Sequence, residues 1–493
     1  MMNTTTVVLM IIFVFTFVPL ALAEIARAKF RYTIEDFFLQ SRRMNLLMAF
    51  FTIYATWVSS FAFLGSTASF YNQGPLYMTC FAWNILFALL FMVVGRRIWF
   101  YGKTHGYITA TDFFDDIYRS RGLSFTITAI ITMFTIPYLM IQLYSGAFII
   151  EMASNGQIPW KVAGLLFYLV IIIYLWAGGL RAVAMSDVYY GILTVLSMIV
   201  TGIILISGTG EGIEGTFRSV QENNPDFFIL GSADGSSTLM WLAMFLVIPI
   251  GALMGPPMWI RMYSISNEKI FKALPLLLTV ITIMYIGPLL AGNAAKRMYP
   301  DGVYSDNLLI VMIMDKLPII LTAVILCGIA AASLSTANSQ IHAISAVYTI
   351  DIHKRYIRTK SKEREMLKVA RWSVLVISIV AYLLMIVFRV NIIQMGTFSL
   401  SGTMQIFIPT VGALVWKRSN SRAAILGVWL GVLILVIGFF VLSAPAAYAA
   451  VVGSVVNCAV FVIGSLLMKT NRATADRIVE YRKAYEEQRL WQK

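Results

Sequence analysis

The chain is poor in the residues that build disulfide frameworks, metal centres and charged surfaces: 493 residues hold three cysteines, three histidines and 24 Asp plus Glu. Cys80, Cys327 and Cys458 all fall within apolar runs. That placement excludes a disulfide framework and metal-ligand spacing and leaves them as packing residues. Acids and histidines form no cluster at either end of the apolar runs, and the longest polar loop carries no recognisable catalytic constellation, so no enzyme is expected. Basic residues are missing before the first apolar run. Ala21-Leu-Ala23 imitates a signal-peptidase site, but Arg27, Lys29, Arg31, Arg42 and Arg43 all follow the run. This charge order is the reverse of a signal peptide's, and it predicts an uncleaved first span.

What the chain has in abundance is apolar length. With 59% hydrophobic and 13% charged residues, and about a dozen apolar runs of 18 or more, it reads as an all-α polytopic membrane protein in contact with the lipid bilayer. About thirteen spans are expected, near 5–23, 44–72, 76–100, 122–150, 158–178, 186–207, 238–260, 272–295, 317–350, 368–388, 393–416, 422–442 and 446–468. The net charge of +14 could suggest nucleic acid, but alternate loops carry it. With the N-terminus outside, 32 of 38 Lys and Arg are cytoplasmic, against Lys161, Arg218, Lys296, Arg297, Lys316 and Arg389 outside. The positive-inside rule therefore predicts a plasma (inner) membrane protein with its N-terminus out and C-terminus in, and no nucleic-acid partner.

Several spans carry polar or helix-breaking residues where a plain span would be Leu and Ile. In Ala330–Ser345, Ala332, Ser335, Thr336 and Ser339 recur at i, i+3, i+4 and i+7, so one helix face carries hydroxyls. Such a face either offers oxygens to a hard cation such as Na⁺ or bonds to the preceding turn and to neighbouring helices. The second span is rich in small and polar residues over Ala55–Ser69, which suits either an unwound segment or a packing face. The seventh has two Gly and three Pro in Ile248–Pro257 and must break, freeing carbonyls and exposing a half-helix end. Pro137 and Gln142 interrupt the fourth, Gln142 either bridging helices or contacting a solute. Asp187, about a turn inside the cytoplasmic boundary, is a functional candidate, with a salt bridge to Arg181 or a helix cap as the alternative.

Outside the spans, Gly106–Asp116 reads as an interfacial helix capped by Thr109 or Thr111, with Phe113, Phe114 and Ile117 toward the membrane. Segment 208–237 carries Glu211, Glu214, Glu222, Asp226 and Asp234 against Arg218 alone and reads as a solvated external loop. Two interrupted spans, each opening a block of five, are the pattern of paired inverted repeats. The expected units are 1–43 (first span and cytoplasmic loop), 44–207 (repeat one), 208–237, 238–418 (repeat two), 419–468 (spans twelve and thirteen) and a cytoplasmic tail over 469–493.

With Ile34–Arg42, Ala177-Gly-Gly-Leu-Arg-Ala-Val-Ala-Met-Ser-Asp187, Pro256-Pro-Met-Trp-Ile-Arg261 and Ala332-Ser-Leu-Ser-Thr336 in view, the chain resembles the sodium:solute symporter family over nearly its whole length. The resemblance implies the LeuT-type fold, a 5+5 inverted repeat with broken second and seventh spans behind an extra first span. It implies a Na⁺ site from the backbone oxygens of Ala55, Val58 and Ala332 and the hydroxyls of Ser335 and Thr336. Some members have a second cation site, which here would use Asp187, Ser335, Asn338 and Ser339, with Asn338 standing where those members have a hydroxyl. The implied solute pocket places Phe61, Gln142, Ile248, Ala252 and Pro256 between the second, fourth and seventh spans. Proline-transporting members have an aromatic cluster where this chain has Gln142, Ile248 and Ala252, and Trp57 replaces an acid, which disfavours proline. Gly106–Asp112 and Pro137–Gly146 look more like the monocarboxylate and pantothenate branches.

The expected function is Na⁺-coupled symport of a small organic solute, a carboxylate of monocarboxylate or pantothenate type, by alternating access. Na⁺ is the coupling ion, and neither an organic cofactor nor an obligatory protein partner is implied. The rivals are proton coupling of an amino acid or other solute through Asp187 or His342, and a transporter-derived membrane sensor, for which no receiver or kinase-like domain follows the last span.

Overall fold

The computed structural model describes residues 4–28, 30–230, 238–300, 307–388, 391–469 and 471–491. They are almost wholly helical, and the β-type pairing among them is an isolated bridge between Met44 and Ile265. Helices follow from the composition, because a backbone in lipid has to satisfy its own hydrogen bonds. Among the described residues ten helices are long and apolar enough to cross a membrane, or eleven when Thr238–Met254 and Pro256–Ser264, bent by 58°, count as one span. That is short of thirteen for a physical reason: Leu46–Trp57 and Trp160–Ile173 are apolar but shorter than a full crossing, and Phe61–His105 runs on through two expected spans.

The second span breaks as its small, hydroxyl-rich sequence suggests. Helix Leu46–Trp57 ends at Val58, which is extended at φ −87° and ψ 102°, and helical structure resumes with a π turn at Phe61–Gly65 and continues over Ser66–Gln73. The seventh span breaks at Gly255, extended at ψ 140°, because a residue that precedes proline avoids the helical region. Pro256 and Pro257 then open the next half-helix, where a missing N–H costs little. Pro137 does not interrupt the fourth span: helix Arg121–Ala153 runs straight through it, an outcome that neighbouring helices in a membrane allow. Between the expected fifth and sixth spans the chain turns at one residue, Gly179, whose φ of 53° and close approach to the Phe37 carbonyl leave no room for a side chain.

The remaining differences lie at the membrane edges. Helix Ala110–Tyr118 is capped as expected, with the Asp112 carboxylate accepting the Thr109 N–H at 3.0 Å. Phe113, Phe114 and Ile117 are fully buried, and the two rings pack on Trp259, so this helix faces protein rather than lipid. The acidic segment contains a helix, Gly212–Asn223, that buries Thr216 and Val220; the expected loop is therefore partly ordered, and Glu211 pairs with Arg297 at 2.6 Å. Asp234 and Arg389 lie outside the described residues. Cys80 and Cys327 are buried, whereas Cys458 is exposed and is not the packing residue expected. The tail forms a helix, Arg472–Trp491, docked on the helix at 110–118 through Arg477 and Asp116, 2.9 Å apart.

Candidate ion and solute sites

The hydroxyl face of helix Ile319–Ala346 meets the end of helix Leu46–Trp57. Ser335 Oγ lies 2.8 Å from the Ala55 carbonyl oxygen and 3.1 Å from that of Ala332. Thr336 Oγ1 lies 3.2 Å from the Ala55 oxygen and 3.3 Å from that of Thr56. All of these residues are buried. Five oxygens with no formal charge thus converge, and they suit a hard monovalent cation: each hydroxyl hydrogen can rotate off its carbonyl and leave a lone pair facing inward. The Thr56 carbonyl was not among the sequence candidates. Val58, the fifth candidate, follows the end of this helix with an extended backbone and shares no hydrogen bond with Ser335 or Thr336 among the described residues.

Beside this group lies a small cavity of about 30 Å³, far below the ~300–1,000 Å³ typical of small-molecule pockets. Trp57, Tyr138, Ala252, Pro256 and Met258 supply its apolar walls, and Thr56, Thr135, Gln340, Ser399 and Thr403 its polar ones. Of the sequence candidates, Ala252 and Pro256 line it, whereas Phe61, Gln142 and Ile248 do not. Gln142 instead holds the break in the second span: its Oε1 accepts the Ser60 hydroxyl at 2.8 Å and the Ser60 N–H at 3.3 Å. Tyr138 and Gln340 were missed, since nothing local in sequence sets a wall of a cavity apart from a packing residue, and Trp57 had entered only as the residue in place of an acid. The Trp57 indole stacks on Phe87 with ring centroids 4.5 Å apart and donates to Asn84, which fixes its plane.

Thr56 joins the two regions. Its carbonyl belongs to the oxygen group, the residue also lines the void, and its hydroxyl shares a 2.8 Å hydrogen bond with Ser339. The Ser339 hydroxyl also accepts a hydrogen bond from Arg261, whose Nη2 lies 3.7 Å from Asp187 Oδ2. Asp187 accepts the Thr52 hydroxyl at 2.5 Å. Asp187 therefore faces Arg261 and not Arg181, which pairs with Asp36 at 2.8 Å. Burial alone would raise the Asp36 carboxyl, but the Ser41 hydroxyl, the Arg31 N–H and Arg181 outweigh it and hold the group below its usual range. His342 is a buried packing residue: its Nε2 lies 3.0 Å from the Phe37 carbonyl, and its ring rests on Phe37 and Phe38.

Both the sequence and the fold have known relatives. The model of the sodium:solute symporter family matches residues 37–431. The sodium/pantothenate symporter of Escherichia coli K12 is 23% identical over 405 residues, covering 80% of this chain and 82% of that protein. The sodium/glucose cotransporter of Vibrio parahaemolyticus is 25% identical over 430 residues, with 80% and 77% covered. In three dimensions a Na⁺-coupled sialic acid symporter, solved substrate-bound and outward-open, superposes with a TM-score of 0.80 at 20% identity, over 93% of this chain and 98% of that one, and it shows the LeuT-type fold. Solutes this different among relatives this distant leave the cargo open, but the membership is plain: the chain belongs to the sodium:solute symporter family, multi-pass membrane transporters that couple solute movement to Na⁺ and are not enzymes.

Proposed function

We propose that the protein carries a small organic carboxylate, of monocarboxylate or pantothenate type, into the cell with Na⁺ held by Ala55, Ala332, Ser335 and Thr336 and the neighbouring Thr56 and Val58 carbonyls. The observation that carries this reading is Thr56, which belongs to the oxygen group through its carbonyl and also lines the void. Whatever fixes the end of helix Leu46–Trp57 shapes both sites, so ion and solute each favour the state that the other binds. The cavity has to widen to admit any solute, and the hydroxyls of Thr135, Ser399 and Thr403 with the Gln340 amide along it offer donors to carboxylate oxygens. Pro256 and Pro257 remove the first two N–H groups of the half-helix behind it, so its positive end contributes little and the bound Na⁺ is the nearer charge.

Blocks 44–207 and 238–418 serve as the inverted repeats in this reading, each with its break in its opening span, at Val58–Ser60 and at Gly255. The distribution of Lys and Arg supports an N-terminus outside and a C-terminus in the cytoplasm of a plasma-membrane protein.

The test is uptake of labelled pyruvate, lactate, acetate and pantothenate into proteoliposomes under an inward Na⁺ gradient, with Ser335→Ala and Thr336→Ala in parallel. Loss of one ligand of about 1.4 kcal/mol should raise the Na⁺ concentration for half-maximal uptake about tenfold. Uptake that follows a proton gradient and ignores Na⁺ would refute the assignment and turn attention to Asp187 and His342.

A further inference from the structure

The tail helix Arg472–Trp491 is held unevenly along its length. Its first half docks through opposite charge: Arg477 pairs with Asp116 at 2.9 Å, and the Thr474 hydroxyl donates to the Tyr118 carbonyl at 3.3 Å. Its second half meets like charge. Arg482 of the tail and Arg97 of helix Arg96–His105 line one cavity of about 130 Å³, together with Tyr101, Val415, Tyr485 and Glu486. Arg97 lies over the Tyr485 ring at 5.6 Å and pairs with no carboxylate among the described residues. Arg482 reaches the Val415 carbonyl at 3.4 Å and Glu486 at 3.7 Å, both longer than a good hydrogen bond. Arg96, the neighbouring base, is committed to Glu268.

We propose that this cavity is an anion site that takes a phosphate group, and that the bound phosphate staples the second half of the tail helix to the body of the protein. Two guanidiniums that face one space repel each other until an anion lies between them, and their planar forks match phosphate oxygens. Tyr101 adds a neutral donor. It is 1% exposed and lines the cavity, and its hydroxyl is bonded to no other group among the described residues. The space holds about four water molecules, which suits a phosphate group and is too small for a nucleotide. Glu486 works against the site: its side chain, 63% exposed, competes for Arg482 from the rim.

The phosphate has two sources. With the C-terminus in the cytoplasm, as proposed above, the cavity lies within reach of both soluble phosphate and the headgroups of the inner leaflet, and basic pockets at that boundary recognise anionic lipids. In either case the tail docks more firmly as the anion becomes more abundant.

The experiment reads chymotrypsin cleavage within 472–491 of the full chain at neutral pH and needs neither sodium nor solute. At about ten times its dissociation constant, a ligand of the docked tail should slow cleavage about tenfold. One arm adds inorganic phosphate to the protein in detergent, with chloride at equal ionic strength as the reference. The other adds phosphatidylglycerol to phosphatidylcholine nanodiscs. Protection in the first arm assigns soluble phosphate, and protection in the second alone assigns a lipid headgroup. Arg97→Gln and Arg482→Gln, which leave the protease its sites, should each abolish the protection, and Tyr101→Phe should weaken it. Glu486→Gln should deepen it, a gain that misfolding cannot imitate. Protection in neither arm overturns the proposal, as does an Arg97→Gln protein that the anion protects as well as it protects the native one.

Discussion

Gln142 Oε1 accepts two hydrogen bonds from Ser60, from the hydroxyl at 2.8 Å and from the backbone N–H at 3.3 Å. The same amide donates through Nε2 to the Tyr138 carbonyl, one turn back on its own helix, at 3.3 Å. A buried side chain therefore satisfies a backbone donor that the break in the second span sets free. Gln142→Leu leaves that donor unpaired, at a cost of about 1–3 kcal/mol. Thermal unfolding in detergent should show the loss as a lower midpoint. A changed solute affinity with an unaltered midpoint would instead make Gln142 a solute contact.

Helices Trp160–Ser207 and Ile286–Met298 cross with backbone against backbone. A Cβ on Gly287 would stand 2.0 Å from the Met198 carbonyl oxygen, and one on Gly202 would stand 2.3 Å from that of Gly287. Gly287→Ala has to push two helix axes apart, and overpacking of this kind costs about 1–3 kcal/mol. The same unfolding measurement should show a loss, with Gly106→Ala as a contrast: there an added Cβ meets nothing within 4 Å, and only the backbone φ of 73° opposes it.

Trp57→Phe removes the donor to Asn84 but keeps an aromatic wall, whereas Trp57→Ala opens the void. Growth of the cavity should weaken binding of the smallest carboxylates more than that of pantothenate. Competition of each acid against a common labelled solute would measure the shift, and equal weakening of all would remove Trp57 from the selectivity wall.

How much of this was legible in the sequence depends on how far apart the partners lie. Ser335 and Thr336 could be read as a cation face because a helix places i, i+3 and i+4 together. The break at Gly255 was equally plain, since Pro256 and Pro257 forbid a continuous helix. Ala55 came only through family resemblance, because a carbonyl carries no side-chain signature. The partner of Asp187 was not legible. Arg181 was the nearby base, yet it reaches Asp36, and Arg261 arrives from a helix far away in sequence. Pro137 misled in the opposite direction, as a proline with good neighbours leaves helix Arg121–Ala153 whole.

Asp116 fixes the tail helix from outside the membrane. Burial works against its charge, but the Tyr107 and Tyr481 hydroxyls and Arg477 prevail and hold its carboxyl below the ordinary 3.8. A lowered carboxyl favours the docked tail at every pH above that ordinary value and loses the advantage as pH falls through the lowered one. Protease cleavage in 472–491 should therefore accelerate only below about pH 4 in the native protein, and at neutral pH in Asp116→Asn. A tail equally resistant in both proteins would show that Arg482, Tyr485 and their neighbours hold it alone.

Thr56 faces three ways at once, toward the carbonyl group, the void and Ser339. A carrier wastes its gradient when it crosses the membrane with only one of its two passengers aboard. In the proposed scheme both passengers bind against this one residue, so a half-loaded protein leaves one side of Thr56 without its support. Protection against slippage then comes from sharing one residue between two seats, and no relay between distant sites is required.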